Sequence, residues 1–590
     1  MIPRMKNRLL LAAFAIPVLV MVTSAQRPDN APATQPSGKP PDSVFIEDLT
    51  WAEVRDLIAS GTTNVIIGTA GTEQKGPHMV DGEHKFVMEW SADKIARMMG
   101  KTLVAPIVTY VPEGSWENIG GHMAKPGTIT LPDDRFTELL VNAGKSLKAG
   151  GFKNIWYIGE SGGNRNGMRA AAEKLNALWN GSAKAYWVDD YYTKAHAQQN
   201  TMMAKMLKVG DTEVGNHANV LDTSELLFVN PKHVRRDRLT GNDYPNNGVQ
   251  GGNQSKATPE IGKMLLQVKL DLAMAQIKAM QSGAQPPVPA AGGPGGGDGP
   301  PQGARGGAAG GGRGGGNAGA AAQRPQLEPT MDTAPKGMTT THAPDTLFID
   351  ELTWEETRDA MKSGKTVFIV PTGGTEKNGY QMAIGKHNFI VRYTADQIAR
   401  RLKNALIAPV LQYVPEGDPD RQNAGAISVP SPAYDMILDA AARSLKVHGA
   451  TDILFIGDSG PNQQGMKDVA AKLNEEWKGT KTHVYALTDY YEVSREYYRA
   501  WLQAAFGYDE DTVGSHAGIS DTSQMMFVKP SGVRRDMIKP WGGPKDSGVS
   551  GDPSKATTEI GRMGIEFKVN AAINQYKALK NPPRQGRGAQ

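Results

Sequence analysis

Short apolar runs bounded by glycine alternate along this chain with longer stretches in which apolar residues recur every three or four positions. The runs at 64–68, 103–106 and 154–159 predict buried strands, and the stretches at 92–99 and 136–148 predict amphipathic helices. Continuous apolar strands that alternate with helices are typical of a parallel sheet covered by helices on both faces. Because ligands of such sheets bind beyond the carboxyl ends of the strands, we expect a site where the first and third runs end.

The whole pattern occurs twice. Three signatures return 303 positions later: Leu49-Thr50-Trp51, Glu73 and His84 become Leu352-Thr353-Trp354, Glu376 and His387. Later motifs return at offsets of 298 and 299, so the second copy has lost about five residues between them. A period this long marks a duplicated domain rather than a solenoid repeat. The sequence therefore predicts two tandem three-layer α/β/α sandwich domains, each with a mainly parallel central sheet.

The two copies and the segments around them divide the chain. The first copy closes with an amphipathic run at 261–280, and the second closes with a matching run at 560–579. A stretch between them that is dominated by Gly, Ala and Pro predicts a flexible linker. The predicted organisation is a signal peptide at 1–25, a disordered tether at 26–43, domain 1 at 44–281, the linker at 282–346, domain 2 at 347–581 and a disordered tail at 582–590.

The first residues have the pattern of a secretory signal. Arg4, Lys6 and Arg8 precede an apolar run at 9–22, and Thr23-Ser24-Ala25 ends in the small residues that a signal peptidase requires. The run is shorter than the roughly 20 residues of a membrane-spanning helix. We expect a secreted, periplasmic protein with no stable membrane span after cleavage. An uncleaved N-terminal anchor is the alternative.

Composition narrows the classes of function. The 590 residues include no cysteine, so the chain forms no disulfide and offers no thiolate as nucleophile or metal ligand. The net charge of +4 is small for this length, and no basic stripe with interleaved aromatic residues stands out. We therefore expect no nucleic-acid partner. The arginines scattered in the linker are too sparse for an RNA-binding arginine-glycine segment.

A glutamate followed eleven residues later by a histidine is the first candidate for chemistry. Glu73 and His84 form this pair in domain 1, and Glu376 and His387 form it in domain 2. Carboxylate and imidazole groups are common ligands of divalent metals. The pair follows the first predicted strand of each domain, where we expect a site.

The order of the motifs resembles the creatininase (creatinine amidohydrolase) family over nearly all of both domains. The motifs that carry the resemblance in domain 1 are Leu49-Thr50-Trp51, the segment 71–78, Pro126-Gly127-Thr128-Ile129, Gly162-Gly163-Asn164, His217-Ala218 and Thr223-Ser224. The resemblance implies a metal-dependent hydrolase of amide bonds in small or cyclic molecules, with two divalent ions. It also implies ring-like oligomers, so we expect a homo-oligomer.

Most positions that hold metal ligands in the family carry other residues here. The family has a Glu-x-His, an Asp nine residues after that His, and a His in a glycine-rich loop. The residues at these four positions are Glu73, Lys75, His84 and Ser161 in domain 1, and Glu376, Asn378, His387 and Ser459 in domain 2. Only the glutamate is unchanged in each domain.

One interpretation is that the site has been rebuilt around a divalent ion, zinc or manganese. The predicted ligands are Glu73, His84 and Asp222 in domain 1 and Glu376, His387 and Asp521 in domain 2, and the predicted catalytic residues are His217, Lys75, Glu160 and His516. The resemblance makes His217 a proton shuttle to the leaving nitrogen, and Lys75 could polarise the carbonyl. The residues predicted to contact a small-molecule substrate are Ser161, Asn164, His122, His78 and Ser459.

The other interpretation is a catalytically inactive protein with a small-molecule-binding or assembly role. A lysine at a former ligand position opposes cation binding. Ser161 and Asp222 would then serve as helix caps, and His217 would be a hydrogen-bonded structural histidine. Both domains carry several of the same replacements, which argues against independent loss of the site in each domain. A domain that had already lost the site and was then duplicated would also give two copies with the same replacements. If one domain is active we expect domain 1, because it retains His122 and the segment 126–128.

Overall fold

The computed structural model describes residues 41–243, 246–283 and 345–581. They all fall within one compact unit of the chain. The predicted signal peptide, most of the tether, nearly all of the linker and the tail lie outside the described residues. No helix in the described ranges combines the length and apolar character needed to cross a membrane.

Each domain is built on a four-stranded parallel sheet. The strands of domain 1 are β1 (Asn64–Thr69), β2 (Thr102–Val104), β3 (Asn154–Gly159) and β4 (Lys184–Trp187), and those of domain 2 are β5 (Val367–Thr372), β6 (Ala405–Ile407), β7 (Asp452–Gly457) and β8 (His483–Ala486). The strand orders are β2-β1-β3-β4 and β6-β5-β7-β8. Because the chain leaves β1 toward one edge and returns at β3 on its other side, a crevice opens at the carboxyl ends of these two strands.

Helices connect the strands and cover both faces of each sheet. Domain 1 contains α1 (Trp51–Ala59), α2 (Glu83–Met99), α3 (Asp133–Ala149), α4 (Arg165–Trp179), α5 (Thr193–Leu207), α6 (Asp211–Val214), α7 (Val220–Val229) and α8 (Pro259–Gln281). Domain 2 contains α9 (Trp354–Lys362), α10 (Lys386–Leu402), α11 (Ser431–Val447), α12 (Asn462–Glu476), α13 (Glu492–Phe506), α14 (Glu510–Val513), α15 (Ile519–Val528) and α16 (Thr558–Lys580).

Neighbouring strand residues point to opposite faces and separate the layers. Val65 of β1 packs in one apolar cluster with Phe136 of α3. Ile66 packs in another with Ile95 of α2. The predicted three-layer α/β/α sandwich is therefore confirmed for both copies, and every strand pairing in the two sheets is parallel.

The two domains share one core. The apolar cluster beneath α3 and α4 continues without a break into the cluster beneath α11 and α12 of domain 2. Polar contacts cross the boundary in matching pairs: Tyr110 donates to the Pro409 carbonyl (2.7 Å), and Tyr413 donates to the Pro106 carbonyl (2.5 Å). The copies therefore pack as an approximately two-fold pair within one chain.

Two sequence-based boundaries differ from the structure. The second strand ends at Val104, before the predicted Pro106, because proline cannot donate to a sheet. Helix α2 begins at Glu83, nine residues before the predicted start. Its first turn carries polar side chains that are buried, so the apolar periodicity begins only farther along the helix.

Candidate functional site

The segment after β1 brings Glu73 into the crevice. Gly71 lies so close to Glu113 that a Cβ atom at position 71 would be 1.9 Å from Glu113 Oε1, so only glycine fits there. The Glu73 amide donates to the Asp81 carbonyl (2.9 Å). The Glu73 side chain is wholly buried. The local backbone thus fixes one carboxylate at the carboxyl edge of the sheet.

Two loops bring histidines to this carboxylate. His122 lies in the short 3-10 turn Gly121–Ala124, and His217 lies in the loop between α6 and α7. The next residue, Ala218, has a φ of 49°, in the left-handed region that residues other than glycine rarely adopt. Strain of this kind persists where the surrounding structure holds it, and it concentrates at functional sites.

Glu73, His122 and His217 form a compact buried triad. Each residue offers one possible ligand atom, and these three atoms all lie within 4.8 Å of one another. His122 Nε2 is 3.3 Å from Glu73 Oε2, and His217 Nδ1 is 3.8 Å from Glu73 Oε1. Within the described part of the chain, Glu73 Oε2, His122 Nε2 and His217 Nδ1 have no hydrogen-bond partner. Three unsatisfied buried ligand atoms that face one another fit a divalent metal ion.

Gln74 holds both histidines of the triad. Its carbonyl oxygen accepts from His217 Nε2 (2.8 Å), which leaves His217 Nδ1 as the nitrogen with a lone pair toward Glu73. Its side-chain amide lies 3.2 Å from His122 Nδ1 and 3.0 Å from His217 Nε2. A ligating histidine usually donates its other ring N–H to a carbonyl or carboxylate, as His217 does to the Gln74 carbonyl.

Lys75 places a positive charge beside the triad. Its Nζ lies 3.1 Å from Glu73 Oε1, 3.5 Å from Glu83 Oε2 and 3.4 Å from Asp222 Oδ2. Burial raises the pKa of Glu73, but the nearby His122 and Lys75 hold it well below its usual value. Glu73 therefore stays ionised, and any cation at the triad shares it with the ammonium.

His84 lies on the first turn of α2 between two carboxylates. Its Nε2 is 2.9 Å from Glu73 Oε1, and its Nδ1 is 3.0 Å from Glu83 Oε2. Burial lowers the pKa of His84, but Glu83 and Glu73 hold it well above its usual value despite Lys75. A doubly protonated imidazole has no lone pair for a metal, so this geometry favours His122 and His217 as the partners of Glu73.

Glu160, a predicted catalytic residue, belongs to a charged network behind the site. It accepts hydrogen bonds from Tyr191 and Lys269, and Lys269 also contacts Glu225 Oε2 (2.6 Å). Burial lowers the pKa of Lys269, but Glu160 and Glu225 raise it well above its usual value. Glu160 thus anchors helix α8 to the end of β3.

The remaining predicted residues of domain 1 make local contacts. Ser161 accepts from the Gly163 amide (3.3 Å), as the capping alternative expects. Asn164 donates to Thr69 Oγ1 (3.0 Å), and His78 Nε2 lies 2.8 Å from Thr223 Oγ1. Asp222 accepts from the Ala218 amide (2.9 Å), whereas the N-cap of α7 is Asn219. The catalytic, ligand and substrate roles assigned to these residues stay predictions.

Domain 2 repeats the carboxylate and two of its partners. His387 Nε2 lies 2.8 Å and His516 Nδ1 lies 3.7 Å from Glu376 Oε1, and His387 Nδ1 lies 2.7 Å from Asp458 Oδ2. Burial and Lys386 lower the pKa of His387, but hydrogen bonds to Asp458 and Glu376 raise it to about 9. His387 is therefore held between two carboxylates, like His84.

A buried ammonium occupies the same place in both domains but comes from different sequence positions. Lys386 Nζ lies 3.2 Å from Glu376 Oε1 and 3.0 Å from Asp521 Oδ2. Lys386 is the counterpart of Glu83, whereas the counterpart of Lys75 is Asn378. Lys386 is not among the predicted site residues, and the only sequence signal for it is that the lysine at position 75 of domain 1 is matched in domain 2 by a lysine at the position of Glu83.

The third member of the triad has no equivalent in domain 2. Gly417 and Gly425 match Gly114 and Gly127, and the segment between them, 418–424, is shorter and contains no histidine. The sequence analysis predicted His122 as a residue contacting the substrate. The structure instead places it against Glu73 and His217, and the only signal for this was its absence from the second copy.

An open cavity lies beside Glu376 and the residues that contact it, Lys386, His387 and His516. Its volume is about 390 Å³, and Lys386, His387, Ser459, Arg495 and Arg499 are among the residues that line it. Glu416, also in the lining, is buried, and burial raises its pKa to about 8. Ser459 Oγ donates to Glu416 Oε2 (3.1 Å). This cavity is large enough for a small organic molecule.

Comparison with known proteins identifies relatives of each domain. A sequence profile described as creatininase, creatinine amidohydrolase, matches residues 47–277 and 350–575, together more than half of the chain. Creatinine amidohydrolase of Pseudomonas putida is 22% identical over 204 residues, which are 32% of this chain and 75% of that protein. The 3-dehydro-scyllo-inosose hydrolase of Thermotoga maritima is 28% identical over 103 residues, 17% of this chain and only 30% of that protein. A solved creatininase structure, 20% identical, covers 40% of this chain and 99% of its own, with a TM-score of 0.34.

Proposed function

The chain belongs to the creatininase (creatinine amidohydrolase) family, and on this basis we propose that domain 1 hydrolyses a non-peptide C–N amide bond, open-chain or cyclic, in a small molecule. The observation that carries the proposal is the triad of Glu73, His122 and His217, whose unsatisfied ligand atoms converge in a buried crevice. We assign the activity to domain 1 because domain 2 has no histidine at the position of His122.

The triad residues would hold one divalent ion. One carboxylate and two imidazoles suit zinc and manganese alike. When bound, such an ion supplies a water that loses its proton near neutral pH and polarises a carbonyl group. A site with three protein ligands is typical of catalytic rather than structural metal centres.

Lys75 and His84 supply charge and protons beside the triad. The Lys75 ammonium is fixed by three carboxylates and would stabilise negative charge that develops on the carbonyl oxygen. His84 carries a hydrogen on each ring nitrogen, because both face carboxylates, and it can donate one to the leaving nitrogen. His217 is the other candidate donor: its Nε2 donates to the Gln74 carbonyl and its Nδ1 faces Glu73.

A catalytically inactive binding protein is the alternative, and one observation favours it. The Lys75 ammonium lies 3.1 Å from Glu73, and a positive charge this close opposes the binding of a metal ion. Under this alternative the ammonium replaces the ion, and a small molecule binds instead in the open cavity of domain 2.

An assay of amide hydrolysis separates the two functions. We expect the full-length protein, supplied with zinc or manganese, to release amine or acid from a panel of small linear and cyclic amides that includes creatinine. The variant His217→Ala should lower the rate about 100-fold or more, because it removes one of the three ligands of the ion. The variant His483→Ala, which removes an exposed histidine on β8, is the control and should keep the wild-type rate. Absence of product from the whole panel would favour the binding protein, and a loss of rate with His516→Ala but not with His217→Ala would move the activity to domain 2.

A further inference from the structure

The cavity of domain 2 differs from its counterpart in domain 1 in size. The equivalent space in domain 1, lined by Lys75, His84 and Lys269, has a volume of about 20 Å³. The cavity in domain 2 has a volume of about 390 Å³. Volumes of this order accommodate small ligands, whereas about 20 Å³ holds little more than water. The second copy has therefore opened a space that the first copy fills.

The two cavities also differ in charge. Arg495 replaces His196, Arg499 replaces Asn200, and Gln524 replaces Glu225 at the same positions of the repeat. The two arginines make the cavity of domain 2 more positive at neutral pH, and Gln524 removes a group that can carry a negative charge. All three residues of domain 2 are in the cavity lining. A cavity that has gained positive charge in this way is suited to an anion.

The two arginines are available to a ligand. Arg495 Nη1 donates to Tyr491 Oη (3.1 Å), and Arg499 Nη2 donates to the Gly514 carbonyl (3.3 Å). Among the described residues, these partners are uncharged, and neither guanidinium forms an ion pair with a carboxylate. A guanidinium has five N–H donors and binds carboxylates in a bidentate manner. Most of this donor capacity remains unused by side chains of the protein.

The opposite wall favours a monoanion with hydrogen-bond donors. Glu376, Asp458 and Asp521 are ion-paired with Lys386, His387 and Lys568, so this part of the cavity is already balanced in charge. A dianion such as phosphate would meet these carboxylates at close range. Glu416 and Gln524 are lining residues, and each has a buried side-chain oxygen, Oε1, without a hydrogen-bond partner among the described residues. Such an oxygen can accept from an N–H group.

We propose that the cavity of domain 2 is a metal-independent binding site for a small organic carboxylate that also carries N–H groups, with Arg495 and Arg499 binding the carboxylate. Ser459 and the unsatisfied oxygens of Glu416 and Gln524 bind the N–H end. This site does not depend on hydrolysis by domain 1, since it uses none of the triad residues.

Calorimetric titration of the full-length protein tests the proposal. The probe is N-acetylglycine, and N-acetylglycinamide, in which an uncharged amide replaces the carboxylate, is its neutral match in size. We expect N-acetylglycine to bind with the same affinity before and after treatment with a chelator, and to bind at least about 10-fold more tightly than the amide, because charge-assisted hydrogen bonds are the stronger ones. Equal affinities for the two probes, no binding of N-acetylglycine at millimolar concentration, or binding that the chelator abolishes would each overturn the proposal.

Variants that restore domain 1 residues locate the site. The double variant Arg495→His with Arg499→Asn should weaken N-acetylglycine binding at least about 10-fold, and Gln524→Glu should weaken it in the same direction by adding a negative charge. Arg562→Gln, on the exposed face of α16, is the control and should bind like the wild type. Melting temperatures establish whether each variant is folded. If the double variant does not fold, Gln524→Glu alone still tests the proposal. Unchanged affinity in both folded cavity variants, or tighter binding of inorganic phosphate than of N-acetylglycine, would contradict the assignment.

Discussion

At the scale of single residues, Gln74 links the two histidines of the triad. It contacts the ring nitrogen of each histidine that does not face Glu73, and its backbone carbonyl sets the tautomer of His217. Its counterpart in domain 2 is Lys377, whose carbonyl accepts from His516 Nε2 (2.8 Å). Both copies therefore have the hydrogen bond from the histidine to the backbone carbonyl, and only domain 1 has a glutamine side chain at this position.

Removing the Gln74 side chain should weaken metal binding without removing a ligand. We expect Gln74→Ala to lower the affinity for zinc about 10- to 100-fold, the usual effect of losing a group that orients ligating histidines. Competition with a chelating dye measures this affinity. Lys377→Ala changes the matching position of domain 2 and should leave the affinity for zinc unaltered. An affinity in Gln74→Ala equal to that of the wild type would show that the amide does not orient a metal site.

The sequence made some of these residues predictable and not others. Glu73 was found because it follows a strand in a motif that both domains share. The contact between His122 and His217 could not be predicted, because the two residues are far apart in the chain and lie in loops whose sequences have no periodicity. Nor does sequence spacing show that Lys75 and Lys386 reach the same place, since one extends from the loop after a strand and the other from the first turn of a helix.

At the scale of elements, the first helix of each domain is tied to the other domain. Thr50 and Glu53 form a capping box at the start of α1. Both oxygens of Glu53 also bind Arg534 of domain 2, at 2.7 and 2.8 Å. Glu356 of α9 binds Arg235 of domain 1 in the same way, at 2.8 Å for each bond. The repeated Leu-Thr-Trp and Val-Arg-Arg-Asp motifs therefore serve the contact between the copies.

Breaking one of these pairs should destabilise the protein. The Arg534 side chain is only 3% exposed, so Arg534→Ala would leave Glu53 without its partner at a buried boundary. We expect a loss of about 3 kcal/mol in the free energy of unfolding, the lower end for removing one member of a buried pair. Arg401→Ala breaks a bidentate pair with Glu566 that is 36% exposed on both sides, and it should cost less than about 1 kcal/mol. Thermal melting compares the two, and equal shifts would show that the contact between the domains contributes no special stability.

Apolar periodicity predicted most elements but not how they end. The strands β1 and β3 are continuous apolar runs and were found within a residue of their bounds. The first two turns of α2 were missed, because Glu83 and His84 are polar yet buried in the site. Periodicity reports burial in an apolar core, so it fails where a helix buries charged side chains against one another.

At the scale of the whole molecule, the duplication has produced two unlike sites on one core. Domain 1 carries the buried triad, and domain 2 carries the open cavity with two additional arginines. Both domains retain the glutamate, the adjacent histidine and the ammonium between carboxylates. The fold and its repetition were readable from the sequence. The sequence does not show that domain 1 holds the triad and domain 2 the open cavity, because this difference depends on which loops reach each glutamate.

The metal content per chain shows whether Glu73, His122 and His217 form a metal site. Full-length protein is saturated with zinc or manganese, freed of unbound metal and analysed for elemental composition. The triad of domain 1, with no equivalent in domain 2, predicts about one ion per chain, lost in His122→Ala and retained in His483→Ala. Less than about a tenth of an ion per chain in the wild type, or an unchanged content in folded His122→Ala, would contradict a metal site at Glu73, His122 and His217.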